Sequence, residues 1–180
     1  MQVMTQLTGS DWPYCDSSAP AAVAGEKDAC GVGFLAQLQG ERSHWVLQQA
    51  LRGLGCMEHR GGCGGDGDSG AGAGVRCEIP WEYLRAIWPE AANANGLGMM
   101  FLPKDPSLRA EVQRFCDQEA QSLGLTSIGW RAVPVDSAVL GPLARETAPV
   151  IQQWLVQRAV DADALESLLL RLRRRVGARV

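Results

Sequence analysis

The spacing of apolar residues along the chain predicts a mixture of helices and strands. Apolar positions recur with a period of about 3.6 residues where helices are expected, and they form short uninterrupted runs where buried strands are expected. The predicted helices are 43–57, 80–88, 105–123 and 161–175, and the predicted strands are 30–38, 75–79, 97–102, 126–135 and 150–157. Because these elements follow one another irregularly, without uniform strand–helix–strand units, we expect a layered α+β fold rather than a doubly wound parallel sheet.

Residues typical of helix ends support these boundaries. Ser43 precedes the first predicted helix and is a suitable N-cap residue, and Pro80 stands in the first turn of the second. Asp105, followed by proline, begins the third helix, and Gly124 follows its last turn as a C-cap glycine. The last predicted helix ends in arginines, as the helix dipole prefers.

Residues 61–74, called the glycine loop below, are so rich in glycine that they predict neither helix nor strand. The loop contains Gly65-x-Gly67-x-x-Gly70, the letters of a dinucleotide-binding fingerprint. No strand precedes this motif, no clear helix follows it, and Asp66 and Asp68 would repel a pyrophosphate, so we disfavour a nucleotide site. The loop is expected to be held by its surroundings.

Cys30 opens an apolar, glycine-containing run and is the candidate nucleophile. The glycines on its C-terminal side would let other backbone or a ligand approach closely. If residues 1–29 were removed, Cys30 would carry a free α-amine with a pKa of roughly 8, which could take the proton of its own thiol. Nucleophile and base would then be one residue, as in N-terminal-nucleophile hydrolases. Residues 1–29, which are polar and irregular, are accordingly predicted to be a leader or pro-segment.

Composition excludes some classes of function. Hydrophobic residues make up 46% of the chain and the net charge is −3, so there is no reason to expect a nucleic-acid partner. No apolar run approaches the roughly 20 residues of a membrane span, and no secretory signal is visible. We expect a cytoplasmic protein with no membrane partner, whose six cysteines are reduced.

A zinc site could be drawn from Cys56, His59, Cys63 and Cys77. The paired, closely spaced ligands of structural zinc sites are missing from this set, so we expect no metal. Cys77 and Cys116 are instead expected to be small buried apolar side chains.

Six stretches, taken in order, carry a resemblance to a known family. They are Asp28-Ala29-Cys30-Gly31-Val32-Gly33-Phe34, Met57-Glu58-His59-Arg60-Gly61-Gly62-Cys63-Gly64, Gly98-Met99-Met100-Phe101-Leu102-Pro103, Gly129-Trp130-Arg131-Ala132-Val133-Pro134-Val135, Leu140-Gly141-Pro142 and Pro149-Val150-Ile151. Together they resemble the N-terminal type II glutamine amidotransferase domain of the large subunits of glutamate synthases. The resemblance runs from about Glu26 into the last predicted helix.

The resemblance implies an N-terminal-nucleophile hydrolase fold, which is a four-layer αββα sandwich of antiparallel sheets. It implies that residues 1–29 are cleaved off and that Cys30 hydrolyses L-glutamine, through a glutamyl thioester, to glutamate and ammonia. It also implies that Arg60 orients the substrate or lowers the pKa of the thiol. In a full synthase, the ammonia passes to a separate domain with FMN and an iron–sulfur cluster. We expect no cofactor in the present segment.

The family's oxyanion-hole Asn-Gly pair and its residues for the substrate's α-carboxylate and α-amine fall beyond the match, because the sequence ends at Val180. Asn95-Gly96 precedes a predicted strand and is interpreted as a turn. Loss of one oxyanion donor typically slows a reaction about 100- to 1,000-fold. Residues 30–180 are therefore expected to be a partial domain, incomplete at the C-terminus, that is active beside the remaining synthase domains or a complementing polypeptide. The alternative is a truncated, inactive remnant that serves as an interaction module.

Overall fold

The structure is a computed structural model that describes residues 31–57, 61–62, 65–70 and 72–179. Its helices are α1 (His44–Cys56), α2 (Trp81–Ile87), α3 (Pro106–Ser122), α4 (Pro142–Thr147) and α5 (Ala162–Gly177), with 3₁₀ helices at Pro89–Asn93 and Ser137–Val139. Its strands are β1 (Gly96–Leu102), β2 (Thr126–Ala132) and β3 (Val150–Gln157). None of the helices in these ranges has the length and apolar character needed to cross a membrane.

The chain divides into two compact units. The first contains Met1–Cys77 and Gly141–Leu143, and the second contains Glu78–Leu140 and Ala144–Val180. In the described part of the first unit, α1 confirms the helix predicted at 43–57. Ser43 occupies its N-cap position, but the Ser43 side chain makes no capping hydrogen bond.

The second unit is built on a three-stranded antiparallel sheet with the order β1-β3-β2. The central strand is β3, which pairs Val156 with Gly96 of β1 and Gln157 with Thr126 of β2. The strands predicted at 97–102, 126–135 and 150–157 are thereby confirmed within a few residues. The structure is α+β with a small antiparallel sheet, as the irregular order of the elements predicted.

Both faces of β3 are buried near its C-terminal end. Successive side chains of a strand point to opposite faces, so Trp154 and Val156 lie on one face and Leu155 on the other. The first face packs on α3 and α5 in a cluster that includes Leu102, Val112, Cys116, Ala120, Leu165 and Leu172. The second face packs on α2 and the following 3₁₀ helix in a cluster that includes Leu84, Trp88, Ala91 and Ala94.

The helices that flank the sheet begin and end where their capping residues stand. The Asp105 carboxylate accepts a hydrogen bond from the Leu108 backbone N–H at 2.8 Å and caps α3. The Asp161 carboxylate accepts one from Ala164 at 2.8 Å and caps α5 in the same way. Gly124, just after α3, has a φ of 73°, which is the left-handed conformation that favours glycine at a helix end.

Asp117 of α3 ties this helix to the sheet through a polar network. Its Oδ1 accepts hydrogen bonds from the Ser127 hydroxyl at 2.6 Å and from the Trp130 indole Nε1 at 3.2 Å. The Ser127 oxygen in turn accepts one from Trp154 Nε1 at 2.8 Å. The indole rings of Trp130 and Trp154 stack with centroids 5.1 Å apart. The network therefore joins α3, β2 and β3 with each of its indole donors satisfied.

Two predicted strands are wrong. Residues 31–38 and 75–79 lie outside the regular elements, and Val32 and Phe34 are 96% and 94% exposed. A strand requires a neighbouring strand to pair its backbone N–H and C=O groups, and the apolar composition of these segments does not supply one. The helix predicted at 80–88 is confirmed as α2, although Pro80 occupies the N-cap position rather than the first turn.

Candidate functional site

The two residues predicted to act on a substrate, Cys30 and Arg60, lie outside the described residues. Gly31 follows Cys30 in the sequence, and Gly61 follows Arg60, so the described chain comes within one peptide bond of each candidate. The segments that follow Cys30 and Arg60 are therefore the parts of the described chain nearest to the two candidates in the sequence. The segment after Arg60 is the glycine loop. Its described residues form several hydrogen bonds to the Asp66 side chain.

Asp66 organises the described part of the glycine loop. Its Oδ1 accepts hydrogen bonds from the backbone N–H groups of Ser69 at 2.8 Å and Asp68 at 3.3 Å. Its Oδ2 accepts one from the Ser69 hydroxyl at 2.6 Å and one from the Leu143 backbone N–H at 3.1 Å. The first three contacts are local and resemble an Asx turn. The fourth joins the loop to residues 141–143, which belong to the same unit.

These contacts hold the Asp66 carboxylate in its charged form. They lower its pKa from 3.8 to about 2, and the largest cause is the hydrogen bond from the Ser69 hydroxyl, followed by the backbone N–H groups of Ser69 and Leu143. Burial acts in the opposite direction. Because a hydrogen bond to the charged form favours that form, Asp66 is an anion throughout the neutral pH range.

Gly141 permits the close approach of its segment to the loop. A Cβ atom at Gly141 would lie 2.6 Å from both the backbone nitrogen and the hydroxyl oxygen of Ser69, and 2.8 Å from the carbonyl carbon of Asp68. Backbone atoms stand in the way, so a side chain at this position would push the two segments apart. Elsewhere in the loop, a Cβ at Gly70 would lie 3.6 Å from the Gly62 carbonyl oxygen, so the loop folds back on its own beginning.

This role of Asp66 is not predicted from the sequence, in which Asp66 is interpreted only as a charge that would repel a pyrophosphate. The spacing of Asp66 and Ser69 was an available signal, because an Asp side chain commonly bonds backbone N–H groups two or three residues on. No local sequence pattern predicts the contact between Asp66 and Leu143, since the two residues are 77 positions apart. The Asp66 carboxylate therefore joins the backbone of the glycine loop to the backbone of Leu143.

Asn95 and Gly96 do not form a turn, which corrects the interpretation made from the sequence. Gly96 is the first residue of β1 and pairs with Val156. The Asn95 side chain donates from Nδ2 to the Arg158 carbonyl at 2.6 Å, and its Oδ1 accepts from the Arg158 backbone N–H at 3.0 Å. Asn95 therefore secures the ends of β1 and β3, a tertiary contact that the local sequence does not reveal.

The cysteines differ from two expectations. Cys116 is fully buried, as predicted, but Cys77 is exposed. Cys56 is disulfide-bonded, so the expectation of reduced thiols, which rested on the missing secretory signal, is wrong at this position. Of the residues considered for zinc, His59 and Cys63 lie outside the described residues. Within the described ranges, no three His, Cys, Asp or Glu side chains are grouped to hold a metal.

Comparison with known families and proteins adds to this geometry. Residues 30–180 match the family model of the class-II glutamine amidotransferases. The chain is 49% identical over 138 residues to ferredoxin-dependent glutamate synthase 2 of Synechocystis sp., which covers 73% of this chain and 9% of that protein. It is 43% identical over 145 residues to ferredoxin-dependent glutamate synthase 1, chloroplastic/mitochondrial, of Arabidopsis thaliana, covering 77% of this chain and 9% of that protein.

A third relative, the chloroplastic ferredoxin-dependent glutamate synthase of Spinacia oleracea, is 42% identical over 152 residues, or 81% of this chain. The chain spans 9% of the length of each of these curated relatives. The resemblance to the amidotransferase domain of glutamate synthases, noted from the six sequence stretches, is confirmed.

Proposed function

This chain belongs to the class-II glutamine amidotransferases, and on that premise we propose that it hydrolyses L-glutamine with Cys30 as the nucleophile. The observation that carries the proposal is the position of the family match, which begins at residue 30 and continues to residue 180. The first matched residue is thus the cysteine that opens the apolar run. This start supports Cys30 as the N-terminus of the working domain, with residues 1–29 as a cleaved leader.

The proposed reaction uses both the thiol and the α-amine of Cys30. The amine takes the thiol proton, and the thiolate attacks the side-chain carbonyl carbon of glutamine. The carbon–nitrogen bond then breaks as the proton passes from the amine to the departing nitrogen. Ammonia leaves, and a glutamyl thioester remains on Cys30. Water attacks the thioester and gives its proton to the amine. The carbon–sulfur bond breaks, glutamate leaves and the thiol is restored.

Arg60 is proposed to bind the substrate or to lower the pKa of the Cys30 thiol, since a nearby positive charge stabilises a thiolate. The proposal rests on the position of Arg60 in the stretch that resembles the family.

The proposed fold of the working domain is the αββα sandwich of antiparallel sheets. The small antiparallel sheet of the second unit, with α3 and α5 packed on one face, supports one sheet and one helical layer of that arrangement, while α2 and the following 3₁₀ helix pack on the other face near the end of β3.

The ammonia is proposed to serve a glutamate synthase. In that proposal, FMN and an iron–sulfur cluster belong to the remaining synthase domains, and no residue of this chain is assigned to them. The relatives are named ferredoxin-dependent, which supports ferredoxin as the electron donor of the parent enzyme. Further partners are then the remaining synthase domains or a complementing polypeptide.

Intact mass and glutaminase activity test the proposal together. We expect a mass that lacks residues 1–29 and release of ammonia from glutamine, assayed with and without the downstream part of a related synthase. Cys30→Ala should abolish ammonia release, while Cys77→Ala should leave it unchanged, because Cys77 is an exposed thiol that the proposal does not use. Equal activity of wild type and Cys30→Ala would refute the nucleophile, and no activity under either condition would favour the inactive-remnant alternative.

A further inference from the structure

Helix α5 buries only one of its sides. Its buried residues Leu165, Leu172 and Val176 recur at helical spacing and pack into the core of the second unit. The opposite side, called the outer face of α5 below, is exposed and consists of Asp163, Glu166, Leu170, Arg173, Arg174 and Gly177. Because successive residues of a helix are rotated by about 100°, these six lie within one sector about 100° wide, with Leu170 near its middle.

The charges of the outer face are divided by sign along the helix. Glu166 lies four residues before Leu170, and Arg174 lies four residues after it. Eight residues thus separate Glu166 from Arg174, about 12 Å along the axis, whereas ion pairs within a helix join residues three or four apart. Neither of the two is in a salt bridge with another described residue. By contrast Arg175, which lies off the outer face, is 3.4 Å from Glu119 of α3.

A twofold axis through Leu170 makes this face complementary to itself. In an antiparallel pair of α5 helices, a residue before Leu170 faces a residue an equal number of positions after it in the other copy. Glu166 of one copy then faces Arg174 of the other, twice in the pair, and the two Leu170 side chains meet at the axis. A Cβ placed at Gly177 would have nothing within 4 Å, so a second helix can approach closely at this end. We propose that the chain forms a dimer with a second copy through the outer face of α5.

The chemistry of the outer face favours a second copy over a polyanion or a membrane. The face carries both signs of charge, so a polyanion would meet Asp163 and Glu166 as well as the arginines. Leu170, which is 49% exposed, is the one large apolar side chain among the six residues, and membrane-surface helices need a wide apolar face. The contact is confined to one helix of each copy, so it should bury less than the roughly 1,200 Å² of a stable interface. The dimer is therefore weak and depends on concentration.

Sedimentation equilibrium of the full chain measures this dimer. The average mass of the wild type should rise toward that of two chains as the concentration is raised to about 1 mM. Arg174→Glu places a carboxylate opposite Glu166 of the other copy, and Glu166→Arg places two guanidinium groups opposite each other. Each should raise the dimer dissociation constant at least about tenfold. Arg171→Glu is the matched control, because it makes the same charge change at an exposed position of α5 outside the outer face, and it should leave the dissociation constant within about twofold.

Mixing the two single variants tests the predicted pairing directly. In Arg174→Glu both paired positions are acidic, and in Glu166→Arg both are basic. An equimolar mixture should therefore form heterodimers at a concentration at which each variant alone is monomeric. Both substitutions are at exposed positions, so the core of the second unit is left intact. A wild type that stays monomeric, an equal loss of dimer in Arg171→Glu and Arg174→Glu, or a mixture without heterodimers would each overturn the proposal.

Discussion

Replacing Asp117 with alanine is expected to weaken the attachment of α3 to the sheet. The substitution removes the acceptor of two hydrogen bonds, from the Ser127 hydroxyl and the Trp130 indole. A hydrogen bond to a charged group contributes about 1.5–3 kcal/mol, and a donor left without a partner costs about 1–3 kcal/mol. Because these groups are half-buried and can regain some water, we expect the free energy of unfolding to fall by about 2–3 kcal/mol.

The matched variant Asp117→Asn separates the hydrogen bonds from the packing. Its amide oxygen can still accept from both donors, so the expected loss is about 1 kcal/mol, corresponding to the charge assistance alone. Ser127→Ala removes the bridge between Asp117 and Trp154. The double variant Asp117→Ala with Ser127→Ala should therefore show a coupling energy of about 0.5–3 kcal/mol.

Urea unfolding, followed by far-ultraviolet circular dichroism, measures these free energies. Near-ultraviolet circular dichroism reports on the packing of the aromatic side chains, among them the stacked Trp130 and Trp154 pair. The alanine variant is expected to lose part of this signal before the helices unfold. Equal destabilisation by alanine and asparagine would show that the network contributes nothing specific. If the losses in free energy of unfolding caused by Asp117→Ala and Ser127→Ala simply add in the double variant, the network likewise contributes nothing specific.

Three further outcomes are expected. The folded-state pKa of Asp66 is about 2, below its ordinary 3.8, so its stabilising effect is complete above about pH 4 and is lost as pH falls through about 2. Unfolding midpoints of the wild type should depend on pH in this window, and those of Asp66→Asn should depend on it less. Gly124→Ala should cost about 1–2 kcal/mol in urea unfolding because Gly124 has a φ of 73°, whereas Gly177→Ala, with open space around it, should not destabilise the protein. Iodoacetamide at about pH 8 should label Cys77 and spare Cys116, because burial raises the pKa of Cys116 to about 11. Labelling of Cys116 in the folded protein would contradict that reasoning.

The sequence predicted the elements of the second unit well, for a physical reason. In α3, the capping Asp105 and Gly124 enclose an apolar stripe whose Val112, Cys116 and Ala120 all face the core. Each signal is local, and the packing agrees with it. The strands β1 and β3 likewise coincide with predicted strands, and helices cover both faces of β3 near its C-terminal end.

The sequence predicted least where structure depends on distant partners. The apolar run after Cys30 resembles a strand in composition, but Val32 and Phe34 are exposed and the run is not paired as a strand. The contact between Asp66 and Leu143 joins positions that no local pattern relates. Cys30, predicted from its sequence surroundings and from the family resemblance, and Arg60, predicted from the resemblance alone, remain predictions because they lie outside the described residues.

The central place of β3 has a consequence for biosynthesis. β1 and β2 leave the ribosome first, and in the sheet that the described residues form they do not pair with each other but each pairs with β3. The pairing of Gly96 with Val156 also closes a long stretch of chain, and such non-local contacts form slowly. Until Val150–Gln157 is translated, the backbone N–H and C=O groups of β1 lack their partners, and its apolar side chains adjoin an open strand edge, the kind of surface on which chains aggregate. Slowing translation between β2 and β3 should therefore lower the soluble yield.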